Sequence, residues 1–135
     1  MAKLNIDGKE YEMIFNTQAL TEIIKKFGGL ENMQKKLLES QDEAEMLEAY
    51  IWLITLLINQ AILSENIDIK YGLKQGQEKK TLTEDFIKIK MRPKDIFSQR
   101  DAVFKTIVQD SEFEMDIEDE SEDEELKEIR EEKNA

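Results

Sequence analysis

Along KLNIDGKEYEMIF apolar and polar positions alternate: Leu4 and Ile6 flank Asn5, and Tyr11, Met13 and Phe15 resume the step after Asp7-Gly8. A period of two puts these side chains on one face of a strand pair, and Asp-Gly is a favoured two-residue hairpin turn. A β-hairpin with one apolar face is predicted. The period then lengthens. Leu20, Ile23, Ile24 and Phe27 recur at helical spacing behind Asn16 or Thr17, either of which can cap a helix, and Gly28-Gly29 supplies a left-handed stop. A further helix over 30–39 carries Leu30, Met33, Leu37 and Leu38 on one side, with Lys35 and Lys36 on the other.

The most informative helix is predicted over 42–64. At 100° per residue Leu47, Tyr50, Ile51, Ile54, Leu57, Ile58 and Ala61 share a broad core face, while Glu48, Thr55 and Asn59 mark the opposite one. Trp52, Leu56 and Leu63 lie outside that face and form a second apolar stripe. Two explanations stay open for it: cover by a later helix of the same domain, or an interface for a partner.

Residues 65–80 contain Gly72 and Gly76 among Lys70, Lys74, Lys79 and Lys80, and predict a solvated connection. The glycines lack the spacing of a phosphate-cradling loop, and no Gly-Lys-Ser/Thr follows. Thr81-Leu82-Thr83-Glu84 has the Thr-x-x-Glu form of a capping box, opening a helix through Phe86 and Ile87; Ile87, Ile89 and Met91 also alternate with lysines, which fits a short strand. Pro93 ends this element and can open the next. Ile96, Phe97, Val103, Phe104, Ile107 and Val108 then mark a final amphipathic helix, the natural cover for the Trp52 stripe.

Charge divides the 135-residue chain in two. From Asp110 to Ala135 there are 14 acidic and 3 basic side chains, which supply 11 of the 12 net negative charges. Self-repulsion and few large apolar groups predict a disordered acidic tail over 110–135, behind a folded domain over 1–109. The expected fold class is α+β, predominantly α-helical: an N-terminal β-hairpin packed on a small bundle of helices, followed by that tail.

The absence of Cys and His removes disulfides, thiolate nucleophiles, Cys/His zinc cages and imidazole bases. An enzyme would need paired carboxylates or a lysine. Glu84-Asp85 and Asp42-Glu43 are sequence neighbours, so on a helix their side chains diverge by about 100° and suit a helix N-terminus better than a shared site. The acidic run lacks the glycine and ligand order of a calcium loop. No catalytic, metal or cofactor residues are expected. Net negative charge argues against a nucleic-acid partner. The apolar run from Ala49 to Leu63 is shorter than a bilayer span and is interrupted by Thr55, Asn59 and Gln60, so no membrane contact is expected; the amino terminus does not read as a secretion signal.

Taken in order, LNIDGKEYEMIFNTQALTEIIKKFGGLEN, IWLITLLINQAI and the acidic carboxyl end resemble the tail assembly chaperones of long-tailed bacteriophages infecting Gram-positive bacteria. The matching elements are the hairpin Leu4 to Tyr11, the helix Ala19 to Gly29 ending in Phe-Gly-Gly, and the apolar helix Ile51 to Ile62 with its Asn-Gln pair. The resemblance implies a non-catalytic binder, in the host cytoplasm and absent from the mature virion, that keeps the tape-measure protein soluble and helps recruit tail-tube subunits; self-association stays open. Trp52, Leu56 and Leu63 are the candidate partner-binding residues. It also implies a longer product made by a one-base backward slip of the ribosome, for which Glu132-Lys133-Asn134 can be encoded by a slippery heptamer. Two other classes stay in view: an acidic inhibitor that imitates nucleic acid, and a small regulatory adaptor whose tail binds a basic partner.

Overall fold

A computed structural model describes residues 2–111. In chain order the elements are β1 (Ala2–Ile6), β2 (Lys9–Met13), α1 (Thr17–Phe27), α2 (Leu30–Glu39), α3 (Glu43–Lys70), α4 (Glu84–Lys90), α5 (Pro93–Ser98) and α6 (Arg100–Ser111). The expected class holds: a two-stranded antiparallel hairpin on a predominantly helical body. The tail expected over 110–135 lies outside the described residues except for Asp110 and Ser111, which belong to α6.

Asp7 and Gly8, at φ 52° and 84°, form the turn, and Leu4 pairs with Tyr11 in the register that follows. Both backbone positions require positive φ, which Asp tolerates and Gly adopts freely. Leu4, Ile6 and Met13 are buried beneath the sheet while Lys3, Asn5, Glu10 and Glu12 face water.

Asn16 caps α1 through a hydrogen bond accepted from the Ala19 N–H at 3.0 Å, and Gly28 ends it at φ 89°. Ala19 and Ile23 face the core. Ile24, expected beside them, is 50% exposed, because it lies about 100° around the helix from the line that Ala19 and Ile23 define. Asp42 caps α3 by accepting from the Ala44 and Glu45 N–H groups.

α3 is the axis of the fold. It has 28 residues, where the pattern predicted an end at 64, since nothing between Glu43 and Lys70 breaks a helix and the stop comes at Gly72 with φ 76°. Its length and composition would suffice to cross a bilayer, yet Tyr50, Ile51, Leu53, Ile54, Leu57 and Ile58 are buried against the other elements, as in the central helix of a bundle. The Ile14 N–H donates to the Leu57 carbonyl at 3.2 Å, joining the end of β2 to the middle of α3.

Two details of the carboxyl half differ from expectation. Thr83, not Thr81, caps α4 by accepting from the Phe86 N–H at 3.1 Å, because the chain stays extended through Leu82; residues 84–90 are helical and Ile89 is 80% exposed, so no strand forms there. The single final helix is two, α5 and α6, divided at Gln99. α6 buries Val103, Phe104, Ile107 and Val108 chiefly against β1, and the Asp110 carboxylate accepts from the Phe15 N–H at 2.9 Å. The folded domain therefore runs past 109.

Candidate partner-binding site

Having packed on β1, α6 is not the cover of the Trp52 stripe. α1 takes part of that place: the Phe27 ring stands edge-on to Trp52 with centroids 5.4 Å apart, and Lys26 Nζ lies 5.2 Å over the indole. Trp52 and Leu56 are half-buried and Leu63 is 36% exposed. Neither sequence explanation holds alone, since one end of the stripe is covered and the other is open.

What borders the stripe is a segment that the glycines and lysines predict as a solvated connection. Residues 71–83 leave α3, turn back and lie extended along it. Asn59 donates its side-chain amide to the Leu82 carbonyl at 2.8 Å and accepts from the Leu82 N–H at 2.7 Å. Asn66 does the same for Lys79, at 2.8 Å in both directions. Each asparagine thus stands in for a neighbouring strand. The spacing explains the fit: seven helical residues rise about 10.5 Å, and three extended residues span about 10 Å. Asn59, expected on the face opposite the core, instead holds this strap. Thr55 is likewise buried, at 7% exposure, with its hydroxyl donating to the Ile51 carbonyl. Glu65 fastens the loop further, at 3.4 Å from Lys74 and 3.3 Å from Lys79; the Lys79 hydrogen bond and both charges hold its carboxyl below the ordinary range.

The strap separates two grooves. Lys79, Lys80 and Leu82 border one groove, and Thr81, facing the opposite way from Leu82 in extended chain, borders the other. The first, about 480 Å³, lies between the strap and β2 over Ile58, Ala61 and Ile62. The second, about 350 Å³, is floored by Trp52, Leu56, Gln60 and Leu63, with Gln18 and Glu22 of α1 on one wall and Thr81 and Glu84 on the other. All three sequence-chosen residues are brought together there. Beyond Leu63 the same line of α3 continues to Ile67, 54% exposed, and Tyr71, 72% exposed.

The walls and the polar floor were missed in the sequence. A signal existed: Asn59 and Asn66 are seven residues apart, as are Trp52 and Asn59, so all lie along one line of a helix. Comparison of the chain with family models, with curated proteins and with solved structures returns no match.

Proposed function

We propose that this chain is a non-catalytic tail assembly chaperone of a long-tailed bacteriophage, one that binds the tape-measure protein, keeps it soluble and helps recruit tail-tube subunits in the host cytoplasm. The observation that carries the proposal is the open groove along α3, floored by Trp52, Leu56 and Leu63, with Ile67 exposed one turn beyond Leu63. An open groove with an apolar stripe on its floor and polar walls suits a second amphipathic helix, the expected form of a tape-measure chain. The acidic carboxyl run supplies net charge that keeps such a complex in solution.

Co-expression with the tape-measure chain encoded nearby tests the proposal. The expected result is that the tape-measure chain becomes soluble and co-purifies; an insoluble tape-measure chain with this protein alone in the soluble fraction would contradict it. A shortened chain ending at Glu114 discriminates the other classes, since an inhibitor or adaptor acting through the acidic run loses its partner while groove binding persists. The codons of Glu132 to Asn134 give an independent check. Under the proposal they read GAA AAA AAU or GAA AAA AAC and a longer product shares this amino terminus; codons that break the heptamer, with no other slippery run nearby and no longer product, would remove the slip.

A further inference from the structure

The groove over Trp52 is not uniformly apolar, and its polar atoms define what it can accept. Gln60 is 4% exposed, lines the groove and makes no side-chain hydrogen bond to a described residue. The amide still reaches solvent through the groove, so an occupant that covers it displaces water and loses affinity unless it supplies a hydrogen-bond partner. The acidic residues of the lining are Glu22 on one wall and Glu84 on the other, with no Lys or Arg among the lining residues. Glu22 has Lys25 at 3.7 Å, itself 70% exposed, and Lys26 sits over the Trp52 ring at that end of the groove. Glu84 also borders the cleft that Lys26 and Phe27 line at the Trp52 end, so the charged residues of the groove's own lining are acidic while the basic neighbours sit outside that lining.

Resting on the reading of this groove as the partner surface, we propose that it selects an amphipathic helix whose apolar stripe is bordered by Lys or Arg and interrupted by one polar side chain that pairs with Gln60. From Trp52 to Leu63 the floor spans about 16 Å, or about three helical turns, so the occupant contributes apolar side chains from roughly three successive turns. The polar side chain fixes its register, as a single buried asparagine does in a coiled coil. Basic borders meet Glu22 and Glu84 across a partly desolvated rim, where opposite charges attract more strongly than in open water.

Trp52 is the only tryptophan of the chain and lies in the groove, so its emission reports occupancy. The full chain is titrated at low salt with two synthetic helical peptides that share one leucine stripe and a central asparagine, one bordered by lysines and the other by glutamates. The lysine-bordered peptide is expected to shift Trp52 emission and bind about tenfold or more tighter, with a gap that narrows as salt rises. In the Glu22→Gln/Glu84→Gln variant that gap collapses. Replacing the peptide's asparagine by leucine weakens binding about threefold or more to the unaltered chain, and no longer weakens it to Gln60→Leu. Equal affinities, a silent Trp52, or a lysine preference that survives the double variant because the carboxyl-terminal acids create it would each overturn the proposal. The lysine-bordered peptide binding as expected while tape-measure co-expression fails would leave the groove's chemistry standing and remove the chaperone role; the reverse would do the opposite.

Discussion

Asn59 and Leu82 exchange two hydrogen bonds, at 2.8 and 2.7 Å, so that one helical side chain holds an extended backbone in place of a strand. The consequence is functional as well as structural. Remove that hold and the wall between the two grooves loses its upper fixing point.

Asn59→Ala is therefore expected to lower stability by about 1–3 kcal/mol, since it leaves the Leu82 N–H and carbonyl partly buried without a partner. Trypsin provides the second readout: cleavage after Lys79 and Lys80 should accelerate while the rest of the body resists. Unchanged proteolysis would mean that Asn66 and Glu65 hold the strap without Asn59.

Trp52→Ala separates the two roles of the stripe. Half-burial and the edge-on contact with Phe27 give an expected loss of about 2 kcal/mol in chemical denaturation, below the roughly 3–5 kcal/mol of a fully internal tryptophan. Partner affinity should fall by about 2 kcal/mol or more. A variant unchanged in both would deny the stripe any importance.

The folded domain is expected to need Asp110 but not the residues beyond Glu114. Asp110→Ala removes the carboxylate that receives the Phe15 N–H, and is expected to cost about 1–3 kcal/mol. A chain ending at Glu114 keeps Asp110 and should keep its thermal transition, with lower solubility as its net charge falls from −12 to −4. A large loss of cooperativity in that truncated chain would show that the removed residues dock on the body.

Tyr50 makes the fold sensitive to alkali. Burial pushes its phenol up to about 12, against a partly opposing effect of the Arg100 guanidinium. Unfolding releases the phenol to its ordinary value near 10, so its contribution is complete below about pH 10 and is lost as pH rises towards 12, by roughly 2–3 kcal/mol. Denaturant midpoints measured across that range should fall in the parent chain and fall less in Tyr50→Phe. Parallel slopes in the two proteins would rule out Tyr50 as the cause.

The sequence was most legible where one period ran without competition. Leu4, Ile6 and Met13 alternate into a sheet face, and Asn16 and Gly28 punctuate α1, because local geometry decides both. It was least legible where a side chain serves a distant backbone: Asn59 looked like part of a polar helix face and Asn66 fell in the connection predicted over 65–80, and only the return of Lys79 and Leu82 gives them backbone partners. The stripe was visible as residues, but its cover was assigned to the wrong helix, since spacing along a chain does not say that α6 prefers β1 and leaves Trp52 to Phe27. Gln60 carried no warning, as its place on the groove floor is set by the elements packed beside α3.

Leu63→Asp tests the central claim most directly, because Leu63 is 36% exposed and its replacement spares the core while placing a charge on the apolar floor at the open end of the groove. Each protein is co-expressed with the tape-measure chain and purified, and the amount of tape-measure chain recovered is measured beside the thermal transition of the free protein. The expected result is an unchanged transition with recovery reduced by about tenfold or more, the equivalent of about 1.4 kcal/mol in binding. Undiminished recovery by a folded Leu63→Asp protein would contradict the assignment of this groove as the partner-binding surface.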